Sequence, residues 1–187
     1  MITDIIQQFL EWLTLLGGLF VIFAICLWIY SVVSGRKEAR TKISLWISRN
    51  YLWLGFIVAL VATSGSLFYS EVMGYTPCVL CWWQRIFMYS QVLLFGVALW
   101  AKDKSVARYS FFMSIIGGLI SAYHYSSQVG FITSDLPCSA IGYSASCSTL
   151  FFVALGYITI PMMALTAFAM LIIFALNSRA KNGVVYY

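Results

Sequence analysis

Charged residues and prolines are scarce in this sequence. Of its 187 residues, only 9% are charged and three are proline, whereas 62% are hydrophobic. Because an average soluble domain carries about 25% charged residues, this composition argues against a soluble fold. The net charge of +5 is explained by basic residues that flank membrane spans, so we predict no nucleic-acid partner.

Most catalytic side-chain sets are also missing. The sequence contains one histidine and no phosphate-binding loop, Ser/His/Asp triad or pair of carboxylates. Its six acidic residues are scattered near span ends: Asp4, Glu11, Glu38, Glu71, Asp103 and Asp135. The five cysteines therefore offer the only chemistry, which is that of thiols.

Five apolar stretches are each long enough to cross a hydrocarbon layer of roughly 30 Å. They cover residues 9–33, 51–68, 82–100, 106–127 and 150–176. The sequence predicts an all-α membrane protein, with a four-helix transmembrane bundle core and one additional N-terminal transmembrane helix. The first stretch lacks a basic n-region, so we do not interpret it as a cleaved signal.

We divide the chain by these spans and by its packing residues. Residues 1–49 form the extra helix and a basic cytoplasmic connection, residues 50–177 the core with two outward cysteine loops, and residues 178–187 a cytoplasmic tail. Gly117 and Gly118, with Ser114 and Ser121, predict a close helix approach in the fourth span. Pro161 predicts a kink in the last span.

The basic residues predict the orientation. All but one of the 11 fall in the first connection, the third connection or the C-terminal tail, which share one side if the helices alternate. Lys and Arg near span ends mark the cytoplasmic side. The two connections without Lys or Arg, residues 69–81 and 128–149, therefore face outward, and each carries a pair of cysteines.

The outward cysteines form the pairs Cys78/Cys81 and Cys138/Cys147, whereas Cys26 lies within the first span and is expected to be a small buried hydrophobe. Four cysteines in an oxidising compartment allow three disulfide pairings, and two structural disulfides are one interpretation. The Cys-x-x-Cys spacing favours redox exchange instead. A zinc site is disfavoured because only one pair has the spacing of a zinc ligand pair, so we predict no metal.

Arg85 and His124 are the candidate partners of the first pair. The third span is predicted to begin near Cys81, where a helix N-terminus would stabilise a thiolate. Arg85 follows by four residues on the same helix face, and it is the only basic residue near the outer side. His124 is predicted at the same depth, where the two side chains could bind the oxygens of a lipid-soluble ligand.

These motifs resemble one family. The run Pro77-Cys-Val-Leu-Cys-Trp-Trp-Gln-Arg85, the run Ile120-Ser-Ala-Tyr-His124, the pair Cys138 and Cys147, and the run Gly156-Tyr-Ile-Thr-Ile-Pro161 are similar to the disulfide-bond-formation protein B family (DsbB, with its BdbC relatives). The resemblance implies a membrane thiol oxidase of the bacterial cytoplasmic membrane. Such an enzyme reoxidises a secreted thioredoxin-like oxidase of the DsbA type and passes electrons to ubiquinone or menaquinone.

The resemblance also implies residue roles. The partner would attack Cys138, the freed Cys147 would attack Cys78, and Cys81 would remain as a thiolate beside the quinone, with Arg85 and His124 close by. The extra N-terminal span and the short second loop depart from the usual pattern. Two alternatives remain: a quinone-linked enzyme of the vitamin K epoxide reductase type, and a non-enzymatic membrane protein with two structural disulfides.

Overall fold

The computed structural model describes residues 2–33, 42–131 and 150–179. Five α-helices make up most of these ranges: α1 (Ile2–Val33), α2 (Lys42–Leu67), α3 (Val79–Ala101), α4 (Val106–Gln128) and α5 (Ile160–Arg179). A π-helical turn, Phe68–Val72, ends α2. The described residues contain no β-strand beyond one isolated bridge between Ala154 and Ile158. The predicted all-α fold is confirmed.

Four of the described helical stretches are long and apolar enough to cross a membrane: Ile2–Tyr30, Ile43–Val72, Val106–Gln128 and Ile160–Ser178. The remaining helix, α3, has 23 residues and is roughly 35 Å long, which is also sufficient. Two of its polar residues, Gln84 and Gln91, are buried inside the bundle and do not face the lipid. The chain is therefore a multi-pass helical membrane protein.

Helices α2 to α5 form a closed bundle around a core of large side chains. The most extensive packing joins α4 to α5, and α2 packs against both α3 and α5. Phe168 of α5 is fully buried and its ring lies directly against Gly117 of α4, where a Cβ atom would collide with it. Phe95 packs against Gly55 in the same way. The predicted close approach at Gly117 is confirmed.

Helix α1 lies outside this bundle, mainly against α5, and runs antiparallel to α2. Its Leu10 side chain packs at Gly65, near the end of α2. Farther along α1, the Phe20 ring lies 6.1 Å from the Phe174 ring near the opposite end of α5. The N-terminal end of α1 is therefore at the same end of the bundle as the loop that leads into α3.

Three sequence expectations need correction. Pro161 does not kink the last helix, because α5 begins at Ile160 and a proline in the first turn costs no intrahelical hydrogen bond. Residues 150–159 lie outside that helix, and Leu155 and Gly156 adopt left-handed backbone angles there, with φ of 51° and 80°. Cys26 is exposed on α1 rather than buried.

Candidate functional site

The first cysteine pair lies at the N-terminus of α3, as predicted, but the capping residue is Cys78 rather than Cys81. Cys78 has extended backbone angles, and its sulfur accepts a hydrogen bond from the Cys81 backbone N–H at 3.4 Å. The two sulfur atoms are 3.2 Å apart, and both residues are free thiols. A helix N-terminus favours negative charge, so the cap stabilises a thiolate on Cys78.

From the sequence, the helix N-terminus is expected to stabilise a thiolate on Cys81, whereas in this dithiol pair the groups that lower a thiol pKa act on Cys78. Hydrogen bonding with Cys81 and, to a smaller extent, the hydrogen bond and charge of His124 together lower the pKa of Cys78 to about 4, against the opposing effect of burial. The reason for the difference is geometric, because the helix cap and His124 both act on the sulfur of Cys78.

His124 reaches this sulfur from α4. Its side chain is 2% exposed, and its Nε2 atom lies 3.7 Å from the Cys78 sulfur. On the other side of the ring, Nδ1 lies 3.1 Å from Nε2 of Gln84. With the amide nitrogen donating to Nδ1, a neutral ring carries its proton on Nε2, which then points at the Cys78 sulfur. Gln84 thus orients the histidine.

Arg85 is held inside the bundle rather than directed to the lipid headgroups. Its Nε donates to the Ser66 hydroxyl at 3.0 Å, and a terminal nitrogen donates to the Ser66 carbonyl at 3.1 Å. The guanidinium carbon lies 5.3 Å from the centre of the Trp82 ring. Tyr89 also donates its hydroxyl to the Ser66 hydroxyl, at 3.4 Å. Ser66 therefore fixes the position of the cation.

Cys81 and Arg85 line one cavity of about 390 Å³, together with side chains of α1, α2, α3 and α5. The lining is apolar apart from a few groups near the cysteine end, which include Gln84 and Ser66. Pockets that bind small molecules have a similar size and a similar mixture of apolar walls and few polar groups. The cavity therefore suits a largely apolar ligand with a polar head near Cys81.

Stacked aromatic rings close the cavity at its cysteine end. The Tyr75 ring lies 4.7 Å from Phe151 and 6.1 Å from Tyr69, and both pairs are close to parallel. All three residues line the cavity. Phe151 follows directly after the second cysteine loop, so this stack joins the two cysteine-bearing segments of the chain.

His124 lies on the other side of the cysteine pair. It lines a separate space of about 20 Å³ with Cys78 and Cys81, and not the larger cavity. The structure thus brings Cys78, Cys81, Arg85 and His124 to one end of the bundle, with the thiols between the two basic residues. The predicted contact of His124 with a quinone stays a prediction.

The second cysteine pair, Cys138 and Cys147, lies outside the described residues, and its predicted roles stay predictions. Cys26 does not line the cavity. Sequence reasoning missed Gln84 and Ser66. Gln84 could have been identified as an amide in an apolar helix, three residues after Cys81, whereas nothing in the sequence marks Ser66 as the partner of a residue on another helix.

Comparison with known proteins agrees with this geometry. Residues 48–177 match the family described as "Disulfide bond formation protein DsbB". The chain is 48% identical over 130 residues to a "Probable disulfide formation protein" of Oceanobacillus iheyensis, covering 70% of this chain and 88% of that protein.

Two further relatives extend the comparison. The "Disulfide bond formation protein C" of Bacillus subtilis is 42% identical over 125 residues, or 66% of this chain and 88% of that protein. A "Probable disulfide formation protein" of Metapseudomonas resinovorans is 36% identical over 134 residues, or 71% and 92%. No solved structure gives a significant match. The resemblance drawn from the cysteine motifs is confirmed, and the chain belongs to the DsbB family of disulfide bond formation proteins.

Proposed function

We propose that this chain is a membrane thiol oxidase that reoxidises a secreted thioredoxin-like oxidase of the DsbA type and passes the electrons to a membrane quinone, ubiquinone or menaquinone. The observation that carries the proposal is that Cys81, one half of a Cys-x-x-Cys pair, lines the same apolar cavity as Arg85. A redox-active sulfur and a fixed cation thus face one ligand site.

The cavity residues fit a quinone. The apolar walls suit its ring and its isoprenoid tail, and Arg85 supplies N–H donors and positive charge for a ring oxygen. When bound, the quinone would accept two electrons and two protons and leave as the quinol. The chain contributes a position for the ring beside Cys81, charge stabilisation from Arg85, and walls that exclude water.

Thiol exchange would deliver the electrons to this site. The partner's thiolate would attack the Cys138–Cys147 disulfide at Cys138, so that Cys147 leaves as a thiolate. Cys147 would then attack the Cys78–Cys81 disulfide at Cys78 and release Cys81 as a thiolate. The partner's second thiol would resolve the mixed disulfide at Cys138 and leave the partner oxidised. Cys138, released in that step, would attack the Cys78–Cys147 disulfide at Cys147, which restores Cys138–Cys147 and releases Cys78. The Cys78/Cys81 dithiol, with Cys81 next to the cavity, would then give up two electrons and two protons and re-form its disulfide.

The structure suggests how His124 would assist this sequence. Its Nε2 points at the sulfur of Cys78, which would be the leaving group when Cys138 attacks Cys147 in the Cys78–Cys147 disulfide. A donor that stabilises the Cys78 thiolate would promote that step, because a thiol of lower pKa is a better leaving group. Gln84 would keep the donating nitrogen directed at the sulfur.

The proposed location is the bacterial cytoplasmic membrane, with the cysteine loops outward and the C-terminus in the cytoplasm. The concentration of Lys and Arg in the other connections supports this orientation. Helix α1 places the N-terminal end of the chain at the cysteine end of the bundle, which would be the outer side.

The test follows quinone absorbance in purified protein supplied with a reduced DsbA-type partner. We expect stoichiometric loss of quinone, abolished by Cys81→Ser and retained by Cys26→Ser, whose thiol is outside the site. Cys147→Ala, mixed instead with the oxidised partner, should accumulate a mixed disulfide between Cys138 and the partner. Unchanged quinone with a competent partner would refute the proposal, and capture at a different cysteine would refute the order of exchange.

A zinc site is the second candidate, because one specific observation favours it. The ligand atoms of Cys78, Cys81 and His124 all lie within 4.8 Å of one another, and two thiolates with one imidazole are ligands that zinc accepts. Metal analysis of the purified protein separates the two candidates. Stoichiometric zinc bound to active protein, and lost from Cys78→Ser, would support a metal site over a freely exchanging dithiol.

A further inference from the structure

Helix α1 forms part of the cavity wall, although it lies before the region that matches the DsbB family, which begins at residue 48. Leu10, Leu13, Thr14, Leu16 and Phe20 all line the cavity. Cys81 and Arg85 line the same space at its polar end. The additional helix therefore faces the proposed quinone site directly.

The way α1 packs explains why a cavity exists beside it. Gly17 brings α1 close to α5, since a Cβ atom there would lie 3.1 Å from both the Met170 sulfur and a Thr166 methyl group. Toward α2, Leu10 meets Gly65 near the cysteine end. Beyond that contact α1 packs only weakly on α2, and the space between them stays open.

This space also opens sideways, toward the lipid. Leu16 of α1 and Ile57 of α2 line the cavity, yet they are 60% and 51% exposed. Because the cavity is partly open, these exposed lining residues indicate that it reaches the surface between α1 and α2. Both side chains are apolar and belong to membrane-crossing stretches, so the opening faces the hydrocarbon region.

The length of the cavity along α1 suits the tail of a quinone rather than a second ring. The α1 residues that line the cavity run from Leu10 to Phe20, which corresponds to roughly 15 Å along the helix. This is about half the thickness of a hydrocarbon core of roughly 30 Å. A ring beside Cys81 and Arg85 would therefore leave room for several prenyl units of its tail along α1.

We infer that α1 and α2 form a side-opening channel that holds the isoprenoid tail of the quinone, so that the additional N-terminal helix sets the preference for long-tailed over tail-less quinones. This inference rests on the proposed function. Tail contact with Leu13, Thr14 and Leu16 contributes to binding, and the gap between α1 and α2 is the route by which the quinone enters from the bilayer.

The experiment compares two leucine substitutions on α1. Leu13→Trp places a large ring in the channel, whereas Leu19→Trp places the same ring on an exposed position that does not line it. The measured quantity is the ratio of kcat/KM for a long-tailed quinone to kcat/KM for a tail-less quinone. We expect this ratio to fall about tenfold in Leu13→Trp, equivalent to ~1.4 kcal/mol, and to stay unchanged in Leu19→Trp.

The outcomes separate the inference from the proposed function. If the ratio of kcat/KM values for long-tailed and tail-less quinones is the same in both variants and in the unmodified chain, the role of α1 is refuted, whereas the proposed reduction of quinone is not. If the unmodified chain reduces no quinone, the proposed function fails, and the inference with it. A quinone with a photoreactive group at the tail end gives a second measurement on unmodified protein: crosslinks to α1 support the channel, and crosslinks confined to α3 and α4 refute it.

Discussion

The contact between Gly117 and Phe168 allows a sharp test of how the bundle positions the site. In Gly117→Ala, the new methyl group would overlap the ring of Phe168, which is fully buried. In Gly118→Ala, the new Cβ would lie 3.7 Å from the Phe168 Cβ, an ordinary contact distance. The two variants add the same atom to neighbouring residues of one helix.

The difference in the free energy of unfolding between these two variants measures the cost of overpacking alone. Both gain the same helix propensity, so that contribution cancels. Overpacking a tight core costs about 1–3 kcal/mol, and we expect Gly117→Ala to be less stable than Gly118→Ala by that amount. The strain should also reach the site, because Gly117 and His124 lie two turns apart on the same face of α4. A displaced α4 moves His124 relative to Cys78.

Equilibrium unfolding in mixed micelles, with an increasing fraction of denaturing detergent, measures the stability difference. Oxidase turnover, measured well below the unfolding transition, reports the displacement of His124, and we expect it to be lower in Gly117→Ala alone. Equal stability and equal turnover in the two variants would refute the packing argument. Loss of stability without loss of turnover would show that α4 absorbs the methyl group without moving His124.

Two further predictions concern the residues that act on the thiols and on the cation. His124→Ala should raise the pKa of Cys78 above about 4, measured as thiolate ultraviolet absorbance against pH. The lowered pKa stabilises the folded dithiol only while Cys78 is a thiolate, so as the pH falls this stabilisation should be lost at a higher pH in the variant than in the unmodified protein. An unchanged titration would contradict the role assigned to His124. Ser66→Ala should raise the KM for quinone about tenfold, since Arg85 loses the hydroxyl that fixes its Nε. Ser90→Ala, which removes an exposed hydroxyl bonded only to its own helix, is the matched control. Equal KM values in the two serine variants would show that Ser66 does not position the cation.

The fold was predictable because its determinants are local. Apolar runs of span length define the helices, and a glycine pair marks the place where α4 approaches α5. The family resemblance likewise follows from short motifs. The division of the chain at residues 49 and 177 stays a prediction, since neither boundary is tested by the packing of the described residues.

Other features depend on contacts between distant segments and could not be predicted. The partner of Arg85 is Ser66, 19 residues earlier on another helix, and hydropathy contains no signal for that pairing. The start of α5 was misplaced because residues 150–159 are apolar enough to continue a span, although left-handed angles at Leu155 and Gly156 prevent it. Sequence spacing also does not show which of the two sulfur atoms caps α3, and the role of Cys81 as the thiolate beside a quinone stays a prediction.

The cap formed by Cys78 links the redox state of the site to the order of a helix end. A thiolate is a strong acceptor for the Cys81 N–H, but a sulfur engaged in a disulfide carries no charge and accepts weakly. The first turn of α3 should therefore loosen each time Cys78 is oxidised and tighten when it is released. Amide hydrogen exchange at Cys81 would follow this change, so that a single backbone proton reports the redox state of Cys78.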